Sequence, residues 1–131
     1  MTDLLLNEQT AVLLTSGQPV PPWLVAWWDS AALASHQLEE PADVLSLALR
    51  ARPRTIVLNA RGPAEWQDAT IGVCRRLKRD SYTAIVPVVM LVPGERFADA
   101  FAAGADEVLR EGDHVYLIGT EEQIRRAMRL L

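Results

Sequence analysis

The chain has 131 residues, half of them hydrophobic and 23% charged. That size and balance fit one folded domain and argue against disorder. Its formal net charge is −4, from 13 basic and 17 acidic residues, which argues against a dedicated nucleic-acid binder, because phosphate backbones select clustered positive charge.

The chain opens Met1-Thr2-Asp3-Leu4-Leu5-Leu6, without the basic segment of a secretory signal. No apolar run approaches the roughly 18 residues needed to span a bilayer. A cytoplasmic domain with no membrane contact is expected, with residues 1–10 as a lead-in and 11–131 as one folded unit. Ala11-Val12-Leu13-Leu14, closed by Thr15-Ser16-Gly17, reads as a first strand. Continuous apolar runs of this kind suit parallel strands buried on both faces. Pro21 and Pro22 then suit a helix start, with Leu24, Trp27 and Trp28 at helical spacing.

A weaker strand is expected at Ala31 to Ser35, followed by a helix with the stripe Ala42, Leu45, Ala48 and Leu49. Thr55-Ile56-Val57-Leu58-Asn59 is a strong third strand. The next helix carries Trp66, Ala69, Thr70, Val73 and Leu77 on one face. Its last turn holds Arg75, Arg76, Lys78 (the only lysine of the chain) and Arg79, where cations complement the helix dipole and are expected to be solvated. Cys74, in the same helix, is the single cysteine. It excludes an internal disulfide and is read as a small buried hydrophobe. His36 and His114 have no ligand pattern around them.

Val86 to Val92 is the strongest strand and closes on Pro93-Gly94. Phe97 and Phe101 mark a fourth helix that Gly104 ends, and Glu107-Val108-Leu109 is a fifth strand. Thr120-Glu121-Glu122-Gln123 matches a capping box that opens a final helix with Ile124, Ala127, Met128 and Leu131. Five β–α units imply an α/β domain of three layers, α/β/α, around a parallel sheet. At this length the expected fold is flavodoxin-like, with strand order 2-1-3-4-5. Ligands of such sheets bind at the carboxyl ends of the strands. These ends carry no GxGxxG, no GxxxxGK[ST] and no GxSxG, so dinucleotide and nucleoside-triphosphate binding are unsupported.

Several segments together resemble response-regulator receiver domains. Arg52-Pro53-Arg54-Thr55-Ile56-Val57-Leu58-Asn59 is similar to their third strand, which ends in an aspartate. Val73-Cys74-Arg75-Arg76-Leu77-Lys78-Arg79-Asp80 looks like the end of their third helix. Ile85-Val86-Pro87-Val88-Val89-Met90-Leu91 resembles their fourth strand with its proline. Phe101-Ala102-Ala103-Gly104-Ala105-Asp106-Glu107-Val108-Leu109 looks like the approach to their fifth strand. The resemblance implies a set of switch positions, and this chain departs from all of them. The acidic pair that holds Mg²⁺ falls on Thr15 and Ser16. The phosphoacceptor falls on Asn59, the hydroxyl after the fourth strand on Val92, the lysine after the fifth on Glu111, and the aromatic switch residue on Val108.

A hard cation prefers carboxylate oxygens, and an amide is a poor nucleophile. Glu111 would place negative charge where phosphoryl transfer needs positive. The expectation is therefore a degenerate receiver with no catalytic residue, metal or cofactor, signalling through a protein partner or a homodimer. Two alternatives stand beside it. One is a small-molecule-binding or enzymatic flavodoxin-like domain; Arg61 or Arg110 could bind an anion at this edge, but both are expected to be ordinary solvated loop residues. The other is a phosphorelay receiver with altered chemistry.

The interface candidates are aromatic. Trp23, Trp27 and Trp28 span a wider arc than one buried helix stripe, so one is expected in the core and another at the surface, where tryptophan is enriched in interfaces. Val115 and Tyr116 lie in a strand-like stretch after the fifth strand, His114 to Gly119, a second candidate edge.

Overall fold

The structure is a computed structural model, and it describes residues 10–16, 22, 24, 29, 34–50 and 53–110. Five strands form its centre: β1 (Thr10–Leu14), β2 (Ala34–Leu38), β3 (Thr55–Asn59), β4 (Val88–Val92) and β5 (Glu107–Arg110). They pair in parallel in the order β2-β1-β3-β4-β5. This is the flavodoxin-like sheet expected from the sequence. Three helices are described in full: α1 (Pro41–Arg50), α2 (Ala64–Arg79) and α3 (Phe97–Ala102), the last entered through the short 3₁₀ turn Gly94–Arg96.

Alternation of side chains along each strand divides the core in two. One face presents Val12, Leu14, Ile56, Leu58, Val88 and Met90 to Leu47 of α1, Leu77 of α2 and Ala100 of α3. The other presents Ala11, Leu13, Val57, Val89, Leu91 and Leu109, covered by the helical residue Leu24. All residues of β1, β3 and β4 are buried. Each large aliphatic side chain so enclosed contributes about 1.5–3 kcal/mol, so the apolar runs fix both strand identity and register.

Several details differ from the sequence reading. β2 runs Ala34–Leu38 and not Ala31–Ser35, and much of it is exposed. It is a sheet edge with polar side chains, so no apolar run marks it. The buried stripe of α1 is Val44, Leu47 and Ala48, while Leu49 is 50% exposed and Ala42 is exposed. The pairing of α1 with the sheet turns the helix by about one position. In α2, Ala69 is exposed and Ile71 is buried instead, while Cys74 is buried as expected. β4 begins at Val88, because Pro87 has no N–H to give to the ladder. The Pro87 carbonyl accepts from the Ile56 N–H at 3.0 Å. The final helix, the stretch 111–119, and Trp23, Trp27, Trp28, Val115 and Tyr116 lie outside the described residues.

Lys78 corrects the expectation of a solvated basic helix end. Arg75, Arg76 and Arg79 are exposed, but the Lys78 side chain is only 14% exposed. Its Nζ lies 2.6 Å from Asp106 Oδ2 and donates to the carbonyls of Ala84 and Val86 at 2.9 and 2.8 Å. Asp106 in turn accepts the Val88 N–H at 2.8 Å and donates its own N–H to the Val88 carbonyl at 2.9 Å. The lysine stem runs against Gly104, whose φ of +99° suits glycine. Cys74 is fully buried. Burial pushes its thiol up to about 11, which makes it an inert core group.

Candidate functional site

The carboxyl ends of β1, β3 and β4 bring Thr15, Asn59 and Val92 to one edge of the sheet. Thr15 is 2% exposed, and Asn59 and Val92 are fully buried. The backbone there is held by the ladder: the Thr15 N–H donates to the Leu38 carbonyl at 3.0 Å, and the Ala60 N–H to Leu91 at 2.8 Å.

The Asn59 amide is used at both ends. Its Nδ2 donates to Thr15 Oγ1 at 3.2 Å. Its Oδ1 accepts twice from Arg61, from the backbone N–H at 3.2 Å and from Nε at 3.0 Å. The Asn59 carbonyl accepts the Trp66 indole N–H at 2.8 Å. A buried amide satisfied in this way is a closed network, since an unpaired buried polar group costs about 1–3 kcal/mol. Arg61 is therefore not the plain solvated loop residue of the sequence reading. It folds back over the end of β3. The turn that allows this passes through Gly62, with φ +146°. A Cβ there would stand 3.2 Å from the Trp66 ring and 3.4 Å from Ser16 Oγ. Ser16 is thus brought to the same edge, and it is exposed.

Val92 and Val108 contribute apolar bulk, both in the larger core. Val92 pairs with Arg110 and Val108 with Met90. The Arg110 guanidinium lies 4.8 Å over the Phe97 ring, a cation–π contact, so it too is engaged. Glu111 lies outside the described residues.

The sequence reading missed the parts that close the loops. Trp66 reads as a core-stripe residue, and nothing in its spacing signals an indole bond to the last carbonyl of β3. Arg96 joins the loop after β4 to α2. Its Nη1 lies 3.0 Å from Asp68 Oδ1 and 3.2 Å from Gln67 Oε1, and its Nε lies 2.9 Å from Asp99 Oδ2. Gln67 Nε2 donates to the Gly62 carbonyl at 2.8 Å.

A receiver-type Mg²⁺ does not fit these residues. Asn59, Thr15 and Ser16 offer neutral oxygens, and the Asn59 oxygen already takes two donors from Arg61. Among the described residues no group of three or more His, Cys, Asp or Glu could hold a metal. Nor, among them, is any helix long and apolar enough to cross a membrane.

No family model matches the sequence, and no curated protein matches it significantly. Solved structures do match. A response regulator from Thermotoga maritima aligns over 92% of this chain and 97% of its own, with a TM-score of 0.69 at 10% identity. The receiver domain of a sensor histidine kinase from Pseudomonas aeruginosa, which has a magnesium ion in its active-site cleft, aligns over 91% and 97%, with a TM-score of 0.66 at 16% identity. A Vibrio cholerae chemotaxis protein aligns over 93% and 98%, with a TM-score of 0.64 at 15% identity. At these identities the likeness speaks for architecture, and the chain has the flavodoxin-like fold of response-regulator receiver domains.

Proposed function

We propose that this chain is a signal-transduction module of the receiver type that works through protein contacts and without aspartyl phosphorylation. The observation that supports this most is the Asn59 network. The residue at the end of β3 is a buried amide bonded to Thr15 and Arg61, in the place where the resemblance implies a phosphoacceptor carboxylate. The acidic pair is replaced by Thr15 and Ser16, and the hydroxyl after β4 by Val92. Phosphoryl transfer is catalysed almost wholly by positioning and charge, and these residues supply neither a carboxylate nucleophile nor acidic ligands for a metal. The module carries out no chemistry of its own. Its partner is another protein or a second copy, met through the tryptophan-rich segment after β1 or the segment that follows β5.

The test is sedimentation velocity at several protein concentrations, alone and with candidate partners, with and without Mg²⁺ and acetyl phosphate. Association is expected, and the phosphodonor should leave it unchanged. A monomer that associates only after acetyl phosphate is added would contradict the proposal.

A further inference from the structure

We propose that the end of α2 and the loop leading from it into β4 form a docking surface for an acidic segment of a partner protein that also carries aromatic side chains. The proposal rests on the protein-contact reading but uses a surface apart from the two segments named there, at the end of the sheet opposite Thr15 and Asn59. Arg75, Arg76 and Arg79 are exposed on the last turns of α2, at spacings of three and four that put Arg79 beside both of the others. None of them makes an ion pair with a described residue. The acid that follows them, Asp80, turns its Oδ1 to the Tyr82 N–H at 2.8 Å. The helix dipole accommodates cations at this end, but it does not account for the apolar side chains beside them. Of the four large hydrophobic residues that are exposed among those described, two stand in this loop, Tyr82 at 43% and Ile85 at 56%.

The loop is pinned to the helix it follows. Lys78 Nζ donates to the Ala84 and Val86 carbonyls, Thr83 Oγ1 donates to the Leu77 carbonyl at 2.7 Å, and the Ala84 N–H donates to the Asp80 carbonyl at 2.8 Å. A surface fixed in this way loses little freedom on binding. Arginine and tyrosine are enriched at the cores of protein interfaces, and a guanidinium pairs with a carboxylate through parallel N–H bonds. The chain as a whole carries −4, so the three arginines are a local reversal of sign, which steers an acidic segment to this surface. A lipid surface fits less well, because one tyrosine and one isoleucine fall short of the apolar face by which a helix lies in a membrane interface.

The probe is a random copolymer of glutamate and tyrosine, compared with poly-glutamate and with phosphatidylglycerol vesicles, and binding is read from the amide NMR signals of the protein. The copolymer should shift the signals of Arg79, Tyr82 and Ile85. Arg75→Gln with Arg79→Gln should weaken it about tenfold. Ile85→Ser should weaken the copolymer and leave poly-glutamate unchanged. Gln37→Glu with Ala42→Glu makes the same change of net charge at exposed positions elsewhere and should leave the affinity as it is. All the substituted side chains are exposed, and the undisturbed signals of β1, β3 and β4 report that each variant is folded. No binding of the copolymer, shifts confined to other residues, or an equal loss in the remote pair would overturn the proposal. Tighter binding to the vesicles than to the copolymer would overturn it in favour of a lipid surface. None of these outcomes bears on whether association depends on a phosphodonor, which sedimentation reads separately.

Discussion

Replacing Asp106 with alanine should cost the domain about 3 kcal/mol, read as a shift of the urea midpoint without a change of slope. The carboxylate does two jobs: it accepts the Val88 N–H at 2.8 Å and neutralises Lys78 at 2.6 Å. Alanine would leave the first donor of β4 unpaired, at about 1–3 kcal/mol. It would also leave a largely enclosed ammonium without its counter-charge, and removing one member of a buried pair costs about 3–5 kcal/mol. The Asp106 side chain is 28% exposed and Lys78 keeps the Ala84 and Val86 carbonyls, so the sum falls well below the two penalties combined. Lys78→Met should cost less, because Asp106 would retain its bond to Val88. An Asp106→Ala protein within 0.5 kcal/mol of the parent would show that the clasp is incidental.

Gly104→Ala should cost about 2–3 kcal/mol in the same measurement. A φ of +99° is sparsely populated by residues with a Cβ and carries about 1–3 kcal/mol of strain. The new methyl would also meet Lys78 Cβ and Cγ at 3.0 Å, and that stem cannot swing away while its ammonium is held by Asp106 and two carbonyls. The smaller entropy of the unfolded alanine chain returns about 0.4–1 kcal/mol. The two sites are in contact, so their effects should couple. In a Lys78→Met background, where the stem is free to move, Gly104→Ala should be milder. Equal costs in both backgrounds would assign the whole effect to backbone strain.

The centre of the fold was legible because β1, β3 and β4 are enclosed on both faces and carry continuous apolar runs, with polar residues only at the strand ends Thr10, Thr55 and Asn59. The same logic fails at β2, whose outer edge is polar. It fails again on α1, where Leu45 and Leu49 sit at helical spacing but the sheet selects Val44 and Leu47. The strand-end positions Thr15, Asn59 and Val92 were legible because strand ends are where such sheets gather their ligands. Lys78 was misread because its partner lies 28 residues away at Asp106, beyond any local pattern. Arg61 was misread because the bond that folds it back depends on the turn at Gly62 and the anchor at Trp66. Loop arginines are solvated unless such a turn exists, and only the three-dimensional path of the chain shows that it does.

The claim that this receiver fold lacks phosphotransfer chemistry is tested most directly by intact mass spectrometry of Asn59→Asp after incubation with Mg²⁺ and acetyl phosphate, beside the parent. The variant regains a carboxylate, but Thr15 and Ser16 still offer no acidic pair. Val92 still offers no hydroxyl, and Arg61 stands 3.0 Å from the reacting oxygen's position. Each lost electrostatic contact is worth about 3–4 kcal/mol in a transition state, and about 1.4 kcal/mol is a factor of ten in rate. Several such losses, even if they are not additive, slow the reaction by many powers of ten. Both proteins should therefore keep their unmodified masses. A stoichiometric phosphoryl adduct on Asn59→Asp, absent from the parent, would mean that the strand-end site retains working phosphotransfer machinery.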